Sequence, residues 1–313
     1  MKYTYRNKKY QLFPELVHVD ISTICNFKCI HCPQGNADNW KNSKNLINKK
    51  HFYKIVDEVS SHNGILRMTT DGEPFLHPDI ESFLSYVLHS DLYAATLTTN
   101  GSILKPEILK LFTKPSNVRF VIDFSLDAMY RNTFEGIRKG GSYIGILKNI
   151  LSLVEARNSA QSANLFVMVN AIQQPSISND EIETFKTFWN QIVDKVIIRK
   201  YVNVHGLVGK LSGPMDDSAV KRWPCVLLWS RILINPKGEI RFCIDDWNNE
   251  SVFSGKTIDN TTISDIWKGN EYQALRQDHL KGIFSHQLCS SCRNWEGLRW
   301  DYDYKVALDA LFK

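Results

Sequence analysis

The chain has 313 residues, 43% of them hydrophobic and 23% charged, and a formal net charge of +5. This is the composition of a soluble globular protein with room for one large α/β domain, or one such domain and a small appendage. No run of about 18 apolar residues marks a transmembrane helix, and lysines and arginines spread along the chain argue against a nucleic-acid partner.

In chain order, the N-terminus is basic but has no apolar stretch behind it, so it does not read as a secretory signal and a cytoplasmic location is expected. Leu16–Ile21 reads as a first strand. Ile65–Thr69, Ala94–Thr98, Arg119–Phe124, Leu165–Val169 and Lys195–Arg199 read as five more. Helical spacing lies between them: at Lys49–Ser60, where Phe52, Ile55, Val56 and Val59 share a face, and near Ile80–Leu88, Pro106–Phe112, Tyr143–Ala156 and Asp180–Ile192. Alternating βα units predict an α/β fold with a parallel sheet and right-handed crossovers, short of the eight units of a closed TIM barrel. Gly206, Gly209, Gly213 and Pro214 then punctuate a polar stretch. Beyond it Arg231–Asn235 and Glu239–Cys243, joined by Pro236-Lys-Gly238, read as a hairpin. The expected division is a core over 1–200, a linker over 201–222 and a C-terminal domain over 223–313.

Seven cysteines are odd for a disulfide framework but free as thiolate ligands in a reducing cytosol. Cys25, Cys29 and Cys32 follow the first strand with the spacing C-x3-C-x2-C. A four-iron cluster held by three cysteines keeps one iron open for a small molecule. Zinc, or thiols with no shared role, are the alternatives, although zinc prefers a closed set of four. His31 lies between two of the three cysteines and is not counted as a fourth ligand.

Three more motifs follow strands, where parallel folds bind ligands. They are Thr70-Asp-Gly-Glu-Pro74, Thr98-Thr-Asn-Gly101 and Ser125-Leu-Asp127. Alone, each also reads as a turn or a helix cap. In this order and at these places they resemble the radical S-adenosylmethionine (SAM) superfamily. The resemblance implies a partial, TIM-like (β/α)6 barrel. It also implies a SAM-binding 4Fe-4S cluster on Cys25, Cys29 and Cys32, whose electron cleaves SAM to a 5′-deoxyadenosyl radical. His31 stands where the family carries an aromatic ring beside the adenine. Gly72, Glu73 and Pro74 match the G-G-E-P loop, whose carbonyls receive the SAM amino group, with Asp71 replacing the first glycine. Asn100, Ser125 and Asp127 match positions whose side-chain oxygens reach the ribose and methionyl parts.

Cys225, Cys243, Cys289 and Cys292 form a second set, able to close an electron-carrying cluster or a structural zinc site. Ile234-Asn-Pro-Lys-Gly-Glu-Ile-Arg-Phe-Cys243, Thr262-Ile-Ser-Asp-Ile-Trp267 and Cys289-Ser-Ser-Cys292 resemble the SPASM/twitch extension of radical SAM enzymes. No cysteine follows Cys292, so the resemblance is to the shorter twitch form with one auxiliary 4Fe-4S cluster, as in the butirosin-pathway aminocyclitol dehydrogenase group. With all seven cysteines assigned, no thiol remains to return hydrogen to a substrate radical. Loss of an electron to the auxiliary cluster would make the reaction an oxidation. The expected function is therefore a radical SAM oxidoreductase acting on a polar small molecule such as a sugar or aminocyclitol. His205, Arg199 and Asp245 are candidates for handling the hydroxyl proton. A maturase of a ribosomally made peptide is the runner-up, disfavoured by only fifteen residues before the first strand; an epimerase and a non-catalytic relic are the others. The resemblance implies reduced flavodoxin or ferredoxin as electron donor, and a mildly basic surface suits such an acidic partner.

Overall fold

A computed structural model describes residues 12–35, 44–68, 71–201, 222–292, 294–297 and 304–313. Its first eight strands are β1 (Leu16–Val19), β2 (Lys28–Cys29), β3 (Ile65–Met68), β4 (Ala94–Thr99), β5 (Arg119–Ser125), β6 (Arg138–Lys139), β7 (Leu165–Gln173) and β8 (Lys195–Lys200). Every residue of β1 and β3 is buried, as a sheet covered on both faces requires. The strands other than β2 and β6 pair in parallel in the order β1-β3-β4-β5-β7-β8. These are the six strands of the predicted partial barrel.

Crossovers between them carry α1 (Lys49–Ser61), α2 (Ile80–Leu88), α3 (Pro106–Phe112), α4 (Arg131–Ile137), α5 (Tyr143–Ala160) and α6 (Asn179–Trp189). Asn48, Ser142 and Ser178 cap α1, α5 and α6 by accepting backbone N–H groups, which satisfies donors that a helix start leaves open. On α1, Phe52, Ile55, Val56 and Val59 are buried, the face that the spacing predicted. Helix α4 was not among the expected helices, and the two-residue strands β2 and β6 are too short to carry a readable period. Antiparallel pairing of β2 with β6 sets Cys29 opposite Arg138.

The C-terminal part contains α7 (Leu227–Ser230), β9 (Arg231–Ile234), β10 (Glu239–Arg241), β11 (Val252–Thr257), α8 (Ile263–Lys268), α9 (Asn270–Leu280), α10 (Gln287–Ser290) and α11 (Tyr304–Leu311). The expected hairpin is present as β9 and β10. Gly238 takes φ +80 in its turn, a left-handed backbone that favours glycine. The hairpin does not stand apart. Strand β9 pairs in parallel with β1, Leu16 opposite Arg231 through Val19 opposite Ile234, giving one nine-stranded sheet, β11-β10-β9-β1-β3-β4-β5-β7-β8. The division into core, linker and C-terminal domain is a proposal from the sequence; of the linker, only Tyr201 and Arg222 lie within the described residues. At the opposite end of the strands Leu308 of α11 packs with Leu16, Ile65, Ala94, Val121 and Met168.

Helix α1 clamps this C-terminal part. His51 Nε2 and Lys50 Nζ meet the Asp259 carboxylate at 2.8 and 2.9 Å, and Lys54 donates to the Ile258 carbonyl. Glu58 accepts from the backbone N–H groups of Ile263 and Ser264 at 3.1 and 2.9 Å. Replacing Glu58 with alanine removes both charge-assisted bonds, and should lower unfolding stability by about 2 kcal/mol. Urea unfolding of wild type and Glu58→Ala checks this.

Candidate active site

The loops at the C-terminal ends of the parallel strands surround a cavity of about 390 Å³ lined by Cys25, Cys29 and Cys32. Buried Phe27 anchors the loop that carries them, and the loop is tied down by bonds from Cys32 N to Cys29 O and from Ile30 N to Ile137 O. Arg138 reaches Cys29 Sγ at 3.9 Å and pairs with Asp127 at 2.8 Å, both side chains buried. Burial pushes all three thiols up, Cys32 to about 12, and neighbouring thiols add to it at Cys29 and Cys32. Left to themselves these sulfurs hold their protons. A positively charged cluster reverses that balance, because metal binding releases thiol protons. The donor set therefore fits an iron–sulfur group.

Gly72 and Glu73 also line the cavity. A Cβ on Gly72 would stand 2.1 Å from the Ser22 carbonyl oxygen, so only glycine allows this close approach of chain to chain. Glu73 is buried and staples two loops. It accepts from Phe75 N at 3.1 Å, Thr99 Oγ1 at 2.7 Å and Asn100 N at 2.7 Å, and burial raises its carboxyl to about 7. Pro74 opens a short 3-10 turn and is not part of the cavity wall. Thr70 lies outside the described residues.

Asn100 faces the cavity and donates to Asn26 Oδ1 at 2.9 Å and toward Cys25 Sγ at 3.9 Å. Ser125 lines the wall beside Asn170, which donates to its hydroxyl at 3.3 Å. His31 lines it too, with Nδ1 2.9 Å from Gln174 Nε2. Burial lowers its pKa to about 4, so the ring is neutral near pH 7. Asp127 is placed differently. It is fully buried and is not part of the wall. Its carboxylate accepts from Ile172 N at 2.8 Å and pairs with Arg138, so it supports the loop that holds Cys29 from behind.

Asp71, the residue that departs from G-G-E-P, has a partner that sequence reasoning missed. Arg241 of β10 contacts its carboxylate at 3.4 Å, with side-chain exposures of 0% and 1%. Arg241 also donates to the Asp246 carbonyl and to Asn249 Oδ1 at 3.2 Å. Beneath them Asp20 is held well above the usual carboxylate range by burial and by the Asp71 charge. Burial raises Asp71 as well, against the pull of the Arg241 guanidinium that it faces. The one available signal was the departure itself, since an acid in a buried turn needs a countercharge.

The second set also comes together. Cys225, Cys243, Cys289 and Cys292 line one cavity with Arg222, Asp245 and His279. Burial pushes these thiols up, Cys225 to about 12 and Cys289 to about 11. Among the described residues no three His, Cys, Asp or Glu side chains gather to hold a single ion. All four cysteines border that one cavity, as a cluster with four cysteine ligands requires. Asp245 lines both cavities, as the segment after Cys243 adds Ile244, Asp245 and Trp247 to the first.

Residues 19–186, more than half of the chain, match the family model of the radical SAM superfamily. The chain belongs to that superfamily. Residues 225–293 match the SPASM iron–sulfur cluster-binding domain, and 4Fe-4S clusters and SAM are the cofactors that these two domains imply. Its relatives differ in what they make. A GTP 3′,8-cyclase of Petrotoga mobilis is 24% identical over 196 residues, 62% of this chain and 57% of the relative. The subtilosin biosynthesis protein AlbA of Bacillus subtilis is 27% identical over 253 residues, 74% of this chain and 55% of the relative. The chain spans about half the length of the curated relatives it matches. Among solved structures, Streptococcus suis SuiB bound to its precursor peptide SuiA has a TM-score of 0.69 at 16% identity, covering 96% of this chain and 75% of that one. BtrN in complex with AdoMet and 2-DOIA has 0.54 at 16%, covering 90% and 93%. These structures share the fold of this radical SAM enzyme. No helix among the described residues is long and apolar enough to cross a membrane.

Anaerobically reconstituted enzyme should hold on the order of eight irons per chain, and changing Cys25, Cys29 and Cys32 together to alanine should halve that. Iron and zinc analysis checks it; stoichiometric zinc beside four irons would overturn the second cluster. Asp71→Gly, which restores the family glycine, should cost about 3–5 kcal/mol by stranding the Arg241 charge. Asp71→Gly with Arg241→Met should recover most of the loss, as urea unfolding of the three variants would show.

Proposed function

We propose that this radical SAM enzyme is a dehydrogenase that oxidises a hydroxyl-bearing carbon of a polar small molecule of the sugar or aminocyclitol kind. Held by Cys25, Cys29 and Cys32, and by Cys225, Cys243, Cys289 and Cys292, two 4Fe-4S clusters with SAM would supply hydrogen-atom abstraction on one side and a one-electron sink on the other. The observation that carries the reading is the shared wall: Asp245 borders both cavities, two residues beyond Cys243. That proximity favours transfer of an electron out of the substrate over return of a hydrogen to it. All seven cysteines lie in the two sets, so neither leaves a spare thiol as donor.

The substrate would lose one hydrogen atom to the 5′-deoxyadenosyl radical, giving 5′-deoxyadenosine, one electron to the second cluster and one proton to a base. Asp245 is our candidate base. Its neighbour Asn294 donates to Oδ2 at 2.8 Å, leaving the carboxylate oriented on the wall where a proton must leave. Arg199 lines the same cavity but is paired with Asp123 at 3.2 Å, a role suited to orienting a hydroxyl. His205 lies outside the described residues. Reduced flavodoxin or ferredoxin would prime each turnover. A peptide substrate is the second reading, favoured by similarity to AlbA across 74% of this chain.

Turnover in deuterated water separates the outcomes. Incubation with candidate aminocyclitols and sugars, a reductant and SAM should give a product two hydrogens lighter, with no deuterium at the reacting carbon and one 5′-deoxyadenosine per product. Mass spectrometry reads all three. One deuteron gained at carbon without a change in oxidation level would replace dehydrogenation by epimerisation. Oxidation of a peptide alone would select the second reading. Asp245→Asn should lower product formation at least tenfold while 5′-deoxyadenosine is still released.

A further inference from the structure

Arg222 and His279 line the same cavity as Cys225, Cys243, Cys289 and Cys292. His279 sits on α9, 1% exposed. Its Nδ1 accepts the backbone N–H of Cys225 at 3.3 Å. That bond decides the tautomer. With Nδ1 the acceptor, the ring proton is on Nε2, and Nε2 is buried with no hydrogen-bond partner. Arg222 Nε is likewise buried without one. The guanidinium lies over the Phe284 ring at 3.8 Å, and Phe284 meets the His279 ring edge-on at 4.8 Å. The two donors are thus held by one packed stack.

A buried N–H without an acceptor costs about 1–3 kcal/mol, and native proteins carry few of them. Two of them belong to side chains that line one cavity of thiols, where an acceptor is missing. We propose that His279 Nε2–H and Arg222 Nε–H donate hydrogen bonds to sulfur atoms of the auxiliary cluster and raise its reduction potential. The reduced cluster carries one more negative charge than the oxidised one, so donors and the guanidinium charge stabilise it more. Asp245, on the same wall, acts in the opposite direction. His279 and Arg222 are positioning residues that set how readily the cluster takes an electron. The inference rests on the reading of these four cysteines as cluster ligands and deepens the role of electron sink.

The test is an EPR redox titration of the reconstituted full-length enzyme without substrate, with added SAM marking the signal of the first cluster. In His279→Leu and in Arg222→Met the auxiliary cluster should become harder to reduce, each by about tenfold in the reduction equilibrium, or ~59 mV for a one-electron couple. The SAM-cluster potential should stay fixed, and His279→Gln, which keeps a donor, should recover part of the shift. Unchanged auxiliary potentials at full iron content would overturn the proposal. Where a variant loses iron, the wild type decides: with ¹⁵N-histidine, pulsed EPR of the reduced auxiliary cluster should show one weak nitrogen coupling. No coupling, or the strong coupling of an iron-bound nitrogen, overturns it. Since no substrate is present, a failed dehydrogenase reading leaves this result intact, whereas zinc in the second site removes both.

Discussion

Burying a thiol works against the thiolate that a metal requires, and this structure buries Cys29 and half-buries its other six cysteines, in two sets. Where the thiols are close, each also opposes the ionisation of its neighbours. Countercharge has to come from the bound cluster and from fixed cations at the wall. Much of the buried polar structure follows from that need. Arg138 stands against Cys29 and is itself held by Asp127; Arg222 stands against the second set. Both cations are braced from behind, by a carboxylate in one case and an aromatic ring in the other.

The second constraint is that the two sets face the same working space. One parallel strand pairing, β9 on β1, makes the C-terminal part a continuation of the barrel sheet. The segment running on from β10 through Cys243 then reaches the mouth of the barrel, where Asp245 borders both cavities. Arg241, on β10 itself, is buried against Asp71 in the loop expected to receive the SAM amino group. An ion pair of this kind is expensive to break by removing one partner. It ties the register of the added strands to the shape of the SAM loop.

Much of this was legible in the sequence, and unevenly so. Strands Ile65–Met68 and Ala94–Thr99 and helix α1 have apolar runs or faces long enough to be read. Glycine at position 72 was legible because the G-E-P turn survives. The two-residue strands β2 and β6 were not, since no period fits in two residues, and yet their pairing sets Arg138 beside Cys29. Asp127 matched a motif position, but its φ of +63 turns the carboxylate toward Arg138 and β7, a choice made by backbone conformation.

By itself the sequence determined the chemistry on offer: three thiols after the first strand, four more before, at the end of and beyond the hairpin, and βα units that bring the loops to one end. These are local facts, written in spacing and periodicity. The tertiary structure alone decided which groups meet. Asp71 and Arg241 are 170 residues apart and Cys225 and His279 54 apart, and local pattern names the partner in neither pair. Their partnership is enforced by burial, which makes an unpaired charge or an idle N–H costly and so selects the packing in which each finds its counterpart.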